Sequence, residues 1–350
     1  MISPANRGRQ NDRFDEVQIT GNRLTFKLSG TGVYVPERKV GSQELDTLFS
    51  KEPGWTATEF GIDARYWASE AETSSYMAEM ACREAIEQAS MTPADIDAII
   101  GGCGVGEQPI PSTAALVQRR LGLGDSGIPA YDINATCLSF MAALERAVIG
   151  LSLGQWKRVL IFSSDIASAA LDFTQPEASA IFGDGAAACV LEAGTDHTLS
   201  AFKLETYGDG ADYCQLASGG TRLSPHKDVD RFWAGSRFTM DGPALSRFTA
   251  RKFSGFVDRV LSLADVSKDR IDTVIPHQAS KHALCLLKRS LQGSNAKVLD
   301  IFADYGNQIA ASMPHTLHCA YRSGALAKGS TSLVIGSAAG ISLGGAVLRW

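Results

Sequence analysis

Apolar residues along the chain follow two alternating patterns. Short runs rich in β-branched residues are separated by longer stretches in which apolar positions recur every three or four residues, and this alternation extends from about residue 23 to the C-terminus. The short runs predict buried strands and the longer stretches predict amphipathic helices, which together favour an α/β fold. Residues 1–22 are polar and carry neither pattern, so we expect them to form an N-terminal arm.

The pattern of the first half of the chain recurs in the second half. DIDAIIGGCG begins at Asp95 and RIDTVIPHQA begins at Arg270, which places Ile96-Asp97 and Ile271-Asp272 175 residues apart. Four further pairs follow in the same order: QRRLGLG with LKRSLQG, YDIN with LDIF, RVLIFSSD with STSLVIGS, and GAAACVLEA with GGAVLRW. The competing explanation is that α/β units in general resemble one another at this level. The shared order favours two pseudo-equivalent halves, 23–194 and 195–350, with a site built by strand-end loops where they meet.

Composition and charge restrict the classes of function. The 350 residues include 33 Lys and Arg against 38 Asp and Glu, a formal net charge of −5 that disfavours a dedicated nucleic-acid-binding protein. The sequence has no run of 18 apolar residues and no apolar signal-peptide core, so we expect neither a membrane span nor export. The seven cysteines lack a regular spacing, which suits a reducing compartment; we expect a cytoplasmic protein.

One cysteine stands at a predicted strand end. Cys137 follows YDIN and opens an apolar stretch whose periodicity predicts a helix buried on most sides. The unpaired N–H groups and partial positive charge of a helix N-terminus favour the thiolate form that a nucleophile needs. The alternative is a small apolar cysteine that fills space in the core.

Two further polar residues fall at corresponding strand ends. His277 follows the strand TVI and is suited to proton transfer or to polarising a carbonyl, although a lone histidine is more often structural. Asn307 follows LDIF at nearly the position that Cys137 takes in the other half; its amide donates two hydrogen bonds and cannot ionise. Its alternative is a helix cap. The convergence of all three on one region favours a joint functional role.

Six motifs occur in sequence order between about Leu24 and Trp350. They are WTATEFGIDARYWA, PSTAALVQRRLG, DINATCLSF, IFGDGAAACVL, PHQAS and GNQIAASMP. In these motifs the chain resembles the β-ketoacyl-acyl-carrier-protein synthase III family of the thiolase superfamily. The resemblance implies a thiolase-like, duplicated αβαβα layered fold with two pseudo-equivalent halves.

The resemblance also implies a role for each strand-end residue. Cys137 would be the nucleophile that takes an acyl group from a thioester. His277 and Asn307 would donate to the thioester carbonyl of a malonyl group as carbon dioxide leaves, and the backbone N–H groups of Cys137 and Ala339 would form the oxyanion hole. The expected activity is an acyltransferase that performs a decarboxylative Claisen condensation.

Substrate and partner contacts follow from the same resemblance. Trp55 matches an aromatic residue that stacks on the adenine of coenzyme A, and Ile110 matches a residue of the partner subunit's acyl pocket, which implies a homodimer. Phe140 and Ser280 are further candidates for contact with substrate. A basic set is expected to dock an acyl carrier protein, with an ordinary solvated surface as its alternative: Arg247, Lys281, Lys288 and Arg289. We expect no metal ion and no cofactor, because coenzyme A or phosphopantetheine thioesters would be substrates.

The chain departs from the family pattern in residues that handle the thioester. Glu59 stands at a commonly basic position, and Pro176 lies near the place of an expected arginine. Pro243 and Ser280 replace expected amides, and the expected triple-glycine loop reads Ala338-Ala339-Gly340. We therefore hypothesise a condensing enzyme of a specialised, secondary-metabolite or cofactor pathway. Its acyl donor would be either acyl-coenzyme A or an acyl carrier protein.

Two other classes of function stay open. The first is acyl transfer from a thioester to a carrier protein or small acceptor without condensation; Asn307 favours condensation over this class. The second is a non-catalytic subunit that pairs with an active homologue, which the retention of Cys137, His277 and Asn307 disfavours.

Overall fold

The computed structural model describes residues 24–350, and the N-terminal arm expected over 1–22 lies outside the described residues. The strands are β1 (Leu24–Tyr34), β2 (Arg38–Gly41), β3 (Ala64–Trp67), β4 (Ala98–Gly101), β5 (Ala130–Asp132), β6 (Arg158–Asp165), β7 (Gly185–Thr206), β8 (Cys214–Gln215), β9 (Thr239–Met240), β10 (Thr273–Pro276), β11 (Lys297–Val298), β12 (Thr331–Ala338) and β13 (Ser342–Arg349). The α-helices are α1 (Ser42–Leu48), α2 (Trp55–Phe60), α3 (Ser74–Gln88), α4 (Thr113–Arg120), α5 (Ser139–Ser152), α6 (Pro176–Ser179), α7 (Val229–Gly235), α8 (Gly242–Leu263), α9 (Lys281–Ser290), α10 (Phe302–Tyr305) and α11 (Ser312–Arg322).

The main sheet contains the same strand arrangement twice. One half runs β5-β4-β6-β7-β1 and the other runs β11-β10-β12-β13-β7. In both halves the first three strands are parallel and the fourth is antiparallel to the third. The predicted boundary between 194 and 195 falls inside β7, whose first part pairs with β6 and whose last part pairs with β13. The strand order confirms the duplicated α/β fold.

The two repeat aspartates that lie 175 residues apart perform the same local task. The Asp97 carboxylate accepts a hydrogen bond from the N–H of Arg158, the first residue of β6, at 2.8 Å. The Asp272 carboxylate accepts one from the N–H of Thr331, the first residue of β12, also at 2.8 Å. Each aspartate thus fixes where a central strand begins, which is why the repeat remains visible in the sequence.

One predicted strand ends earlier than its sequence indicates. The LDIF segment was expected to be a strand, but β11 contains only Lys297 and Val298. Leu299 still donates to the carbonyl of Val274 at 3.0 Å, and the chain then turns because Asp300 accepts from the N–H of Phe302 at the start of α10.

The fold has five layers, three of helices and two of sheet, and three apolar clusters fill the spaces between them. Helices α3 and α4 cover the outer face of the first half of the sheet, and α8 and α9 cover the outer face of the second half. Helices α5 and α11 lie between the two halves and share one core with both. α5 is buried on most sides, as predicted, because it contacts sheet or helix in nearly every direction. Within residues 24–350 no helix combines the length and the apolar character needed to cross a bilayer.

Candidate active site

Cys137 lies in the turn between β5 and α5. Its predecessor Thr136 has a φ of 52°, a left-handed conformation that is uncommon outside glycine and often found at functional turns. α5 begins two residues after Cys137, with Leu138 as its N-cap. The backbone N–H groups of Cys137 itself and of Ala339, which follows β12, both act to lower the pKa of the thiol. The turn therefore brings the two expected oxyanion donors near one atom.

The expectation that the helix end makes Cys137 a thiolate is wrong for this structure. Burial raises the pKa of the thiol to about 12, and the negative charge of Asp165 adds to that effect. The two N–H groups oppose the shift but do not outweigh it. The physical reason is that a thiolate loses more hydration in this apolar pocket than a helix terminus returns.

His277 stands directly after β10, where the sequence predicted it. Its ring is buried, and burial lowers the pKa of the imidazole to about 4, so the side chain is neutral at physiological pH. Nδ1 lies 2.7 Å from the hydroxyl of Ser312, the first residue of α11. The histidine is therefore held by a hydroxyl partner and not by a carboxylate.

Asn307 is clamped by the backbone of the other half. Its N–H donates to the carbonyl of Ile181 at 2.7 Å, and its own carbonyl accepts from the N–H of Gly183 at 3.1 Å. The side-chain Oδ1 accepts from the N–H of Ile309 at 2.9 Å, and Nδ2 donates to the carbonyl of Ala279 at 3.2 Å. Within residues 24–350 this leaves one amide hydrogen of Asn307 without a partner. The bond that Oδ1 accepts from the N–H of Ile309, at the start of a short 3-10 turn, is of the capping kind, so Asn307 combines that alternative role with a free amide hydrogen.

The three side chains line the same cavity of about 970 Å³. Its walls are largely apolar and come from both halves, including the turn after β4, the strands β8 and β9, and the facing sides of α8 and α9. Ser280 and Ala339 also line it. The structure thus brings together Cys137, His277 and Asn307, which are far apart in the sequence.

Asp165 does not line the cavity but supports two turns that do, and the sequence did not reveal it. It ends β6 and is completely buried, with Oδ1 accepting from the N–H groups of Gly104 and Val105 and Oδ2 accepting from those of Ala310 and Ala311. One carboxylate therefore joins the turn after β4 to the turn that follows Asn307. Burial raises its pKa to about 7 in spite of these four donors. An acidic residue at the end of the predicted strand RVLIFSSD was the available signal.

The structure corrects the role expected of Phe140. It was expected to contact substrate, but its side chain is 1% exposed, belongs to the central core and does not line the cavity. Cys137 lies in the turn before α5, so helical spacing does not relate its direction to that of Phe140, whose ring packs into the core between the two halves. Its backbone lies so close to Gly102 that a Cβ there would stand 3.0 Å from the Phe140 Cα.

Two other expected contacts lie away from this chain's cavity. Trp55 begins α2 and packs edge-on against Phe49 and Phe60, with the Lys51 ammonium 4.8 Å from its ring centroid. Ile110 is 85% exposed in the loop before α4. Neither residue lines the cavity, so their roles toward coenzyme A and a partner subunit stay predictions.

The four basic residues expected to dock a carrier protein are all exposed. Arg247 lies on α8, while Lys281, Lys288 and Arg289 lie on the adjacent α9. Lys288 is paired with Asp300 at 3.1 Å, and Lys281 donates to the carbonyl of Thr58 at 3.4 Å. The positions are compatible with a docking surface and equally with an ordinary solvated one.

Comparison with known proteins gives one consistent family. The model of 3-oxoacyl-[acyl-carrier-protein] synthase III matches residues 131–210, and the model of its C-terminal part matches residues 261–350. The β-ketoacyl-[acyl-carrier-protein] synthase III of Neisseria gonorrhoeae is 32% identical over 328 residues, which cover 93% of this chain and 99% of that protein. The protein of the same name from Nostoc sp. is 32% identical over 329 residues, with 93% and 98% covered.

Solved structures agree with the sequence comparisons. The 3-oxoacyl-[acyl-carrier-protein] synthase III of Aquifex aeolicus has a TM-score of 0.82 at 29% identity and covers 93% of this chain and 100% of its own. The priming β-ketosynthase of the R1128 polyketide biosynthetic pathway has a TM-score of 0.82 at 26% identity, with 95% and 99% covered. The resemblance that the six motifs indicated is thereby confirmed, and the chain belongs to the β-ketoacyl-[acyl-carrier-protein] synthase III family of thiolase-fold enzymes.

Proposed function

We propose that this chain catalyses a decarboxylative Claisen condensation between an acyl group held on Cys137 and a malonyl thioester. The observation that carries the proposal is the convergence of Cys137, His277 and Asn307 on one cavity, which Ala339 also lines. A nucleophile, two uncharged donors and an oxyanion hole are the groups that this reaction requires.

In the first half-reaction the sulfur of Cys137 attacks the carbonyl carbon of an acyl thioester. A new S–C bond forms, the bond to the departing thiol breaks, and the proton of the Cys137 thiol ends on the departing sulfur. The N–H groups of Cys137 and Ala339 are placed to take the negative charge that develops on the carbonyl oxygen. Because the pKa of the thiol is raised, we expect the thiolate to form only during this attack.

In the second half-reaction a malonyl thioester loses carbon dioxide, and its electron pair passes into an enolate. The carbanion then attacks the acyl-Cys137 carbonyl, which releases the β-keto thioester and the Cys137 thiolate. The neutral imidazole of His277 and the free amide hydrogen of Asn307 would donate to the enolate oxygen. Donors without negative charge suit this step, since a carboxylate beside an enolate would repel it.

The positions that depart from the family pattern support a specialised pathway. Pro243 and Ser280 line the cavity, and Ser280 uses its hydroxyl to accept from the N–H of Ala283 at the start of α9. An asparagine at either position would have offered a free amide to the substrate, and neither residue present does. We propose that the thioester handle is recognised differently here, with an acyl carrier protein or an acyl-coenzyme A as donor.

The proposal includes a homodimer and a complex with an acyl carrier protein. A homodimer would bury Ile110, whose 85% exposure is unusual for a large apolar side chain. Arg247 and Arg289, both exposed on the outer helices α8 and α9, would contact an acidic carrier protein.

The decisive experiment separates loading from condensation. Purified protein is incubated with acetyl-coenzyme A, longer acyl-coenzyme A esters and acyl carrier proteins, and mass spectrometry detects the acyl adduct on Cys137. Release of labelled carbon dioxide from a malonyl thioester then measures the second step. Cys137→Ala is expected to abolish loading, whereas Cys285→Ala, which removes an exposed cysteine on α9, is expected to leave it unchanged. Loading without carbon dioxide release would support simple acyl transfer, and preference for acetyl-coenzyme A with fatty-acid elongation would contradict the specialised role.

A further inference from the structure

A second, smaller cleft lies along α8 and has no part in the chemistry proposed above. It has a volume of about 390 Å³ and is lined by Tyr213, Ala244, Arg247, Ala250 and Arg251. The four residues from α8 recur at a spacing of three or four, so they share one face of the helix. Tyr213 ends the short 3-10 helix before β8 and supplies the rest of the wall.

The two arginines of the cleft have no acidic partner. Within residues 24–350 neither Arg247 nor Arg251 forms a salt bridge or donates a hydrogen bond, and both are exposed. Arg259, two turns further along α8, instead donates to both carboxylate oxygens of Glu205 at 2.8 and 2.7 Å. Two unpaired guanidinium groups about one turn apart leave a positive potential in the cleft, which favours an anionic ligand.

The cleft adjoins the opening of the catalytic cavity. Ala211 and Pro243 line that cavity and are exposed, so the cavity reaches solvent beside them. Tyr213 follows Ala211 by two residues, and Ala244 follows Pro243 directly. The eight residues of helix from Pro243 to Arg251 span about 12 Å. A donor whose thioester lies in the catalytic cavity and whose arm leaves it here would therefore carry its far end to the cleft.

We propose that this cleft binds the 3′-phosphoadenosine end of an acyl-coenzyme A, with Arg247 and Arg251 on the 3′-phosphate and the ring of Tyr213 against the adenine. The inference rests on the proposed function, in which Cys137 is loaded from an acyl thioester.

The composition of the cleft favours a nucleotide over the acidic side chain of a carrier protein. The planar guanidinium groups of Arg247 and Arg251 match the oxygens of a phosphate, and the Tyr213 ring offers a base a stacking surface. Ala244 and Ala250 have small side chains and leave room for a flat group between them. A single carboxylate would need neither the aromatic wall nor this volume. Because an acyl-coenzyme A takes part only in loading, Arg247 stays available to a carrier protein in the second half-reaction.

This assignment gives the adenine a place other than Trp55. The Trp55 ring already packs edge-on against Phe49 and Phe60, and the ammonium of Lys51 lies 4.8 Å from its centroid. Tyr213 has no such contacts: within residues 24–350 its hydroxyl makes no hydrogen bond and its ring stacks on no other ring. The two positions can therefore be tested against each other.

The first experiment measures binding without chemistry. Adenosine 3′,5′-bisphosphate, which is the nucleotide end of coenzyme A without its thiol arm, is titrated calorimetrically into the wild type and into Cys137→Ala. We expect both proteins to bind it. Arg251→Ala and Tyr213→Ala are expected to bind it at least about tenfold more weakly, whereas Tyr213→Phe, which keeps the ring, is expected to retain the affinity.

The second experiment identifies the phosphate that the arginines recognise. The acyl group that loads best on Cys137 is presented as the thioester of coenzyme A, of 3′-dephospho-coenzyme A and of pantetheine. Arg247→Ala and Arg251→Ala are each expected to lower the preference in kcat/KM for the coenzyme A thioester over the other two about tenfold. Lys252→Ala is the matched control, because Lys252 is an exposed cation next to Arg251 that lies over the Tyr207 ring and does not line the cleft.

Several results would overturn the proposal. One is the absence of bisphosphate binding, and another is an equal loss of preference in Lys252→Ala. A loss of preference in Trp55→Ala without one in Arg251→Ala would place the base at α2 instead. A loss in Arg251→Ala that appears only with an acyl carrier protein as donor would assign the cleft to that protein. If no thioester loads Cys137 at all, the proposed function fails, while the titration still shows whether the cleft binds the nucleotide.

Discussion

The buried carboxylate of Asp165 leads to a prediction about the pH dependence of stability. Its pKa is raised from an ordinary value of 3.8 to about 7 in the folded protein, chiefly by burial. The folded state therefore binds this proton more tightly than the unfolded state does. Stability from this group is fully present below about pH 4 and is lost as the pH rises toward 7. Because a tenfold change in an acid dissociation constant corresponds to about 1.4 kcal/mol, the loss amounts to about 4 kcal/mol.

Asp165→Asn removes this titration and is the perturbation to use. The free energy of unfolding is measured by chemical denaturation for wild type and variant between pH 4 and pH 8. We expect the difference between the two proteins to shift by about 4 kcal/mol across that range, in the direction that disfavours the wild type as the pH rises. The titration of His277 and other groups is common to both proteins and cancels in the difference.

The competing outcome has a clear physical meaning. The four backbone N–H groups that donate to Asp165 favour the charged form, whereas burial disfavours it. A difference that stays constant between pH 4 and pH 8 would mean that the donors outweigh burial, and it would refute the reasoning.

A second assay follows the neighbouring thiol. Removal of the negative charge is expected to lower the pKa of Cys137 and to increase its alkylation by iodoacetamide at pH 8 about tenfold, through a Coulomb effect of about 1–2 kcal/mol.

Three further predictions concern other parts of the site. Gly183→Ala would place a Cβ 2.3 Å from the carbonyl oxygen of Tyr305, so we expect carbon dioxide release to fall more than about tenfold while Cys137 loading persists; Gly41→Ala, in open space, is its control. Phe140→Ala is expected to lower the free energy of unfolding by about 3–5 kcal/mol without changing acyl preference. A change in acyl preference without a loss of stability would instead show that Phe140 contacts the substrate. Because the pKa of His277 falls from 6.5 to about 4, the folded state binds fewer protons. Stability is then expected to drop by about 3 kcal/mol between pH 6.5 and pH 4, and denaturation of His277→Gln would lack that part of the drop.

The sequence predicted the parts of the site that sit at strand ends. Cys137 follows β5 and His277 follows β10, and the ends of such parallel strands meet at one edge of the sheet. Asn307 lies beyond α10 and reaches the same site through its backbone bonds to Ile181 and Gly183. The 175-residue repeat offset was readable because Asp97 and Asp272 each anchor a strand start through the same kind of hydrogen bond. At these places the local sequence pattern marks the end or the start of a strand, and the order of the strands in the sheet then determines where that residue lies.

Other features depend on contacts that no local pattern encodes. The direction in which Phe140 points is decided by how α5 lies between the two halves of the sheet. The role of Asp165 depends on four N–H groups from two distant turns, and the partner of Ser312 lies 35 residues away. The thiol pKa of Cys137 likewise reflects burial by both halves, which a helix N-terminus seen in the sequence does not reveal.

Strand β7 belongs to both halves of the sheet and couples their stability. Its 22 residues form one uninterrupted backbone that supplies hydrogen bonds to β6 at one end and to β13 at the other. A chain cut at residue 194 would keep the pairing of β7 with β6 in one fragment and with β13 in the other. It would separate the first residues of β1 from their partners at 197–199 and expose the core that α5 and α11 share, so a fragment of either half is expected to aggregate or remain unstructured. Although the halves are structural copies, heat or denaturant should melt them in a single cooperative transition, and limited proteolysis should not release either half as a stable product.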